Sequence, residues 1–356
     1  MLSIVAVHST GVFWLTKLGS DFGDAIVTPF KFGTIGFFLI SGFLLGERVD
    51  RRNPVDYFLR RLKRVFVPWL FWSIMMCAVL VIKGPAGHGP EYANWSEVLH
   101  SVNSNLRFTL FRTAFWFVPN LLLCIAVLLA FRRHIYSLKL GFVLLALNLV
   151  YVVNIYMLWF PSLHSQALFG FVFYLWLGSY AAQNFERISN VLNRIPAAAF
   201  VAASLITAVA AFGESHLLAG LKSPDALNTL RLSNQLFSIF IVLMIFKFTR
   251  ASWPRFIDVR QHTFGLYLSH AIVLLLLMHL LRHAPLLTPS SVFAGDVEGV
   301  LLWIAVSVLA YICCLLVTIW LASQPSLQWM VGLAPQDLPR QPDLDITDAR
   351  GLLASR

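Results

Sequence analysis

Charge is what this chain has least of. Asp, Glu, Lys and Arg make up only 12% of its 356 residues, where a soluble domain carries about 25%. With 58% apolar residues and a mean hydropathy of +0.74, the shortage excludes an ordinary soluble enzyme and a disordered chain alike. Cysteine is scarce too. Cys77, Cys124, Cys313 and Cys314 all fall inside apolar runs, without metal-ligand spacing, and read as buried thiols rather than a disulfide or zinc site. Acids are the rarer charge, 17 Asp and Glu against 27 Lys and Arg, for a net charge of +10. A basic balance can serve nucleic acid, but these residues sit between apolar runs, where membrane orientation signals belong. No nucleic-acid partner is expected.

What the chain has in abundance is apolar sequence of membrane-spanning length, about 20 residues per helix. Runs lie near 30–46, 64–82, 114–131, 140–159, 167–182, 196–213, 232–248, 264–281 and 300–321. A further run, residues 1–15, lacks the charged leader and cleavage site of a signal peptide and reads as a span short of its first turns. The fold class expected is an all-α polytopic membrane protein of about ten transmembrane helices in one bundle. Residues 1–321 form the membrane domain and 322–356 a cytoplasmic tail, with no internal repeat and no appended soluble domain. The 14% aromatic content suits lipid-facing and interfacial positions.

The connections orient the bundle. Those at 47–64, 132–139, 183–195 and 247–263, with the tail, hold 19 of the 27 Lys and Arg; the alternate set holds 8. The positive-inside rule then puts both termini and the rich connections in the cytoplasm.

No Asp or Glu falls within a run so bounded, and Lys and Arg appear only at the very ends of runs, as Lys31, Arg64 and Lys247, the last able to snorkel from its end. The titratable groups left in the membrane are His8, His270 and His279. A polar group at that depth costs free energy, which makes it a functional candidate; the bland reading is an imidazole hydrogen-bonded to a neighbouring helix. That bland reading suits His279, near the outer end of its span, better than His8 or His270. Proton-coupled transporters usually carry acidic relays. An imidazole titrating near neutral pH suits general acid–base catalysis instead, which tilts the reading towards an enzyme.

The first basic connection runs RVDRRNPVDYFLRRLKRVFVPWLFW, residues 48–72. An orientation signal with lipid-headgroup contact accounts for its charge, but not for the choice of arginine. Arg61 and Arg64 are three apart, on one helical face, and two guanidinium forks converge well on phosphate oxygens.

These motifs resemble a known family. GTIGFFLISGFLLG (Gly33 to Gly46) resembles the GVDLFFVLSGFLI signature of the acyltransferase-3 family of integral membrane acyltransferases, with Ser41 and Gly42 at its SGF. FLRRLKRVFVPW (Phe58 to Trp69) resembles that family's RxxR stretch, matched by Arg61 and Arg64. VAVHS (Val5 to Ser9) resembles its first-helix histidine motif. HTFGLYLSH (His262 to His270) resembles its Gly-x-Tyr-Leu-x-His motif, with Tyr267 at the tyrosine. AFWFVPNLLL (Ala114 to Leu123) resembles its LWFL segment, with Trp116 at the tryptophan. Five motifs in order carry far more weight than any one. The chain departs from the pattern at Ile35, where the signature has Asp, and at Phe115, often His. The family's arginine upstream of the first-helix histidine would precede Met1, so an upstream extension of the reading frame is expected.

The resemblance implies transfer of an acyl group, usually acetyl from acetyl-CoA as co-substrate, to a sugar hydroxyl of a surface polysaccharide, exopolysaccharide or lipid-linked glycan. It implies residence in a bacterial cytoplasmic membrane, and no bound cofactor or metal. By the same resemblance His8 and His270 are the catalytic candidates, and Arg61 and Arg64 the donor-binding ones, for acyl-CoA phosphates. Ser41, Gly42, Tyr267 and Trp116 are supporting positions. Whether His8 takes the hydroxyl proton or relays the acyl group stays open, as does a rival class, a transporter or flippase for a glycan or lipid.

Overall fold

The computed structural model describes residues 1–15, 20–47, 53–83, 94–248, 259–283 and 296–333. Among these there is no strand. The helices are α1 (Leu2–His8), α2 (Ser20–Val27), α3 (Phe32–Gly46), α4 (Pro54–Lys83) and α5 (Trp95–Arg112). Then come α6 (Phe117–Ala130), α7 (Leu138–Met157), α8 (Val172–Gln183) and α9 (Phe185–Arg194). The remainder are α10 (Ala197–Gly220), α11 (Leu232–Phe248), α12 (Val259–His283) and α13 (Asp296–Ser323). Short 3-10 turns follow α1 and precede α6, and one at Gln328–Val331 packs on α4 and α12. Parts of the basic connections, 48–52 and 249–258, and the tail 334–356 lie outside the described residues.

Each apolar run coincides with helix, but length separates them. Six described helices are long and apolar enough to cross a membrane, and a seventh span arises if α5 and α6, bent by 69° at their junction, count as one. The runs at 1–15, 167–182 and 232–248 form shorter helices. α8, with 12 residues, is about 18 Å long against a hydrocarbon core of about 30 Å. It serves as a buried post in the bundle. α3 crosses it at backbone contact: a Cβ added at Gly42 would stand 2.0 Å from the Leu175 carbonyl oxygen, and one at Gly178 2.0 Å from that of Leu39. Ser179 Oγ donates to the Gly42 carbonyl across the same crossing at 2.8 Å. Small residues at helix crossings are the packing device of membranes, where lipid offers no hydrophobic drive between helices.

On α10 the lipid-facing side is apolar and the side turned to the bundle carries small and hydroxyl residues. Val201, Leu205 and Val209 are exposed while Ser204, Thr207, Ala211 and Ser215 are buried. The helix also runs further than its apolar run, through Glu214, so an acid does lie on a spanning helix, at its end. Glu214 accepts from the backbone N–H of Leu232 (3.2 Å) and Ser233 (3.0 Å), and from the hydroxyls of Tyr156 and Ser233. It thereby satisfies the first donors of α11, where a helix N-terminus favours an anion. Lys247 does the converse at the far end of α11. Its ammonium donates to the carbonyls of Leu192 (2.8 Å) and Ile195, closing the C-terminus of the amphipathic α9.

Candidate active site

The site begins where α1 ends. His8 is its last residue, and the chain tightens into a 3-10 turn at Ser9. α13 fixes this junction. Trp303 Nε1 donates to the Ala6 carbonyl at 2.9 Å, as does Ser9 Oγ at 2.9 Å, and the Ser9 and Ser307 hydroxyls meet at 2.6 Å. On the other side α3 approaches so closely that a Cβ at Gly33 would stand 2.6 Å from Ser3 Oγ. His8 therefore has a fixed direction. Its ring opens on a cavity of about 220 Å³ and is exposed there.

Behind it lies His270, in the middle of α12. It has 0% exposure, and its ring centroid is 5.3 Å from that of His8. His270 Nδ1 faces the Tyr267 carbonyl, which requires an N–H donor there. Nε2 is then the lone-pair nitrogen, and it has no hydrogen-bond partner among the described residues. His270 does not line the cavity; it stands as a buried base in ring contact with the imidazole that does.

Trp116 forms part of the wall, and Tyr267 supports it from behind. At the junction of α5 and α6 the helix breaks, and two freed carbonyls are taken by other helices. Tyr267 Oη donates to Ala114, and Trp69 Nε1, from α4, to Phe115 at 2.8 Å. Trp116 is thereby held on the cavity, edge-on to His164 at 5.1 Å between ring centroids. Ser41 is partly buried on α3, and Gly42 contributes the contact with α8; neither lines the cavity.

The cavity also holds charged groups from the ends of helices and the turns between them. His164, in the turn between α7 and α8, meets Asp225, in the turn between α10 and α11: Nδ1 to Oδ2 is 2.6 Å. Lys31, just before α3, donates to the Leu227 carbonyl, and Arg112 stands at the end of α5. All four line the cavity with His8. Burial alone would push the Asp225 carboxyl up. The charge and hydrogen bonds of His164, with Lys31, more than reverse this and hold it below the usual carboxylate range.

Arg61 and Arg64 are elsewhere, one turn apart near the start of α4. The Arg64 side chain is exposed; Arg61 is partly buried, and its Nε has no hydrogen-bond partner among the described residues. The carbonyl of Arg64 abuts Gly332, just past the last 3-10 turn, where φ is +76° and a Cβ would stand 3.0 Å away. Arg61 is eight residues from Trp69, about 12 Å along the helix. No α4 residue lines the cavity; the helix that carries the arginines reaches its wall only through Trp69, on the carbonyl next to Trp116. His279 lies in α12 beyond His270 and is not on the cavity.

Apolar helices of membrane-spanning length around a cavity lined by two imidazoles, His8 and His164, define a polytopic membrane protein with a polar pocket among its helices. The chain belongs to the acyltransferase-3 family, whose model, an acyltransferase domain, matches residues 1–319. It is a membrane acyltransferase. No curated protein and no solved structure matches the chain.

Proposed function

We propose that this protein moves an acyl group, acetyl from acetyl-CoA, to a sugar hydroxyl of a surface polysaccharide, exopolysaccharide or lipid-linked glycan, with His8 as the relay. The membrane is the cytoplasmic membrane of a bacterium, both termini are cytoplasmic, and the cavity opens on the opposite side. Three features support the reading. The Lys and Arg alternation favours this orientation. Arg61 and Arg64, one turn apart on α4 and away from the cavity, form a pair of forks suited to CoA phosphates. The observation that carries it is His8, open to the cavity and in ring contact with the buried His270, whose Nε2 keeps an unshared lone pair.

Donor and acceptor arriving from opposite sides need a carrier between them. In the first step one His8 nitrogen attacks the thioester carbonyl. The C–N bond forms, the C–S bond breaks, and the thiolate leaves with the electron pair to take a proton from the cytoplasm. The N–H proton of His8 passes to His270 Nε2. In the second step the acceptor oxygen bonds to the acyl carbon as its O–H bond breaks and the proton leaves on the cavity side. The C–N bond breaks with its electron pair going to His8, and His8 recovers its proton from His270.

The test is purified protein in nanodiscs with acetyl-labelled acetyl-CoA. Label transferred to His8 and then to a glycan supports the reading. Label that only binds, or a glycan carried across the bilayer unmodified, favours a transporter and overturns it.

A further inference from the structure

The second step leaves one atom without a destination. The acceptor hydroxyl must lose its proton on the cavity side, and His270 is sealed behind His8, with no exposure. The cavity provides another imidazole.

His164 is fixed in a way that His8 is not. Asp225 Oδ2 accepts from its Nδ1 at 2.6 Å and from its backbone N–H at 3.1 Å. A carboxylate at Nδ1 keeps the proton on that nitrogen, so Nε2 carries the lone pair. The same contact orients the ring and stabilises the imidazolium that forms when Nε2 takes a proton. The carboxylate is itself held. The turn that bears it is tied down by Asn228 Nδ2 to the Ser162 carbonyl at 2.6 Å, and by Lys31 to Leu227. On an outer surface such a pair would be a solvated ion pair of little consequence. Here the imidazole keeps 28% exposure and its carboxylate partner 13%, and both line the chamber into which His8 opens. Trp116 packs edge-on against the ring and limits its swing.

We propose that His164, positioned by Asp225, is the base that takes the proton of the acceptor hydroxyl. This rests on the acyl-transfer reading above. As the acceptor oxygen bonds to the acyl carbon, its O–H bond breaks and the proton goes to His164 Nε2. The C–N bond to His8 breaks with its electron pair going to His8. His164 then gives the proton to cavity solvent, and Asp225 stays ionised throughout.

The test uses nucleophiles that differ in their need for a base. Hydroxylamine attacks an acyl group without prior deprotonation; water and glycerol are hydroxyl acceptors that require it. CoA release from acetyl-CoA is measured with each, in the full chain in nanodiscs, for wild type, His164→Ala, His164→Gln and Asp225→Asn. The glutamine retains a donor for Asp225 and guards against misfolding. Release to water and glycerol should fall about 10²-fold or more in both His164 variants, the scale of a lost general base, and less in Asp225→Asn. Release to hydroxylamine should stay near wild type in all three. Equal losses with every nucleophile would make the pair a structural support, and unchanged rates with hydroxyl acceptors would remove it from the reaction; either overturns the proposal. So would a wild type that acylates hydroxylamine but no hydroxyl. A wild type inactive towards all three nucleophiles instead defeats the acyl-transfer reading itself.

Discussion

The rings of His8 and His270 stand 5.3 Å apart at 50° to one another, the first open to the cavity and the second sealed behind it. That asymmetry separates their expected effects. His8→Ala should lower acyl transfer to every nucleophile by about 10²–10⁴-fold while acetyl-CoA still binds. His270→Gln should lower kcat by a smaller factor at unchanged KM for acetyl-CoA. Steady-state kinetics on both variants checks this, and near-normal turnover in His8→Ala would return that residue to packing.

Arg61→Lys with Arg64→Lys keeps the charge, and with it insertion and headgroup attraction, but removes the planar forks. Acetyl-CoA affinity should fall, each lost charge-assisted bond being worth roughly 1.5–3 kcal/mol, with no change in expression. Calorimetric titration with CoA and dephospho-CoA measures it. A smaller loss with dephospho-CoA would point to the 3′-phosphate as the group held. Unchanged affinity would leave the arginines as orientation signals.

The α3–α8 crossing has no room for a side chain at Gly178. Gly178→Ala should lower stability by about 1–3 kcal/mol, the usual cost of overpacking. Gly213, on α10, has open space where its Cβ would be, and Gly213→Ala should not destabilise. Thermal unfolding in detergent compares the two.

Asn94 and Asn53 are both exposed, at the start of α5 and just before α4. With both termini cytoplasmic, a cysteine at Asn94 should react with an impermeant reagent in whole cells, and one at Asn53 only after lysis. The reverse pattern would invert the topology and the donor side with it.

Asp225 binds its proton less readily folded than unfolded, because His164 and Lys31 outweigh its burial. The stabilisation this represents is complete above the unfolded carboxyl pKa of about 4 and is lost as the pH falls through that value towards the lower folded one. The stability gap between wild type and Asp225→Asn should therefore stand at pH 6 and narrow below about pH 4. Unfolding midpoints across that range read it directly.

Much of this was legible in the sequence, and the rest was hidden for definite reasons. Apolar runs locate the long helices because the bilayer demands about 20 residues of them. They say less about α8, whose shortness depends on burial against α3, and about α5 and α9, whose polar faces break the run. His8 and His270 stood out because imidazole is conspicuous among leucines. His164 and Asp225 did not: they are 61 residues apart, each in a polar connection that no local spacing marks. Only the meeting of two turns makes them a pair. Glu214 escaped because its run ends one residue before it, while the helix continues to Gly220.

That His164 lies on the chamber rather than behind His8 decides how the reaction meets the membrane potential. In the orientation and reaction proposed above, a proton given up to the chamber leaves on the outer side, while the thiolate takes its own from the cytoplasm. Each turnover then separates one elementary charge across the bilayer, worth about 2.3 kcal/mol per 100 mV. A cell's inside-negative voltage would oppose the step, and uncoupled vesicles would release it. A proton routed back through His8 and His270 to the thiolate would make transfer indifferent to voltage. Turnover in proteoliposomes under an imposed potassium diffusion potential tells the two routes apart.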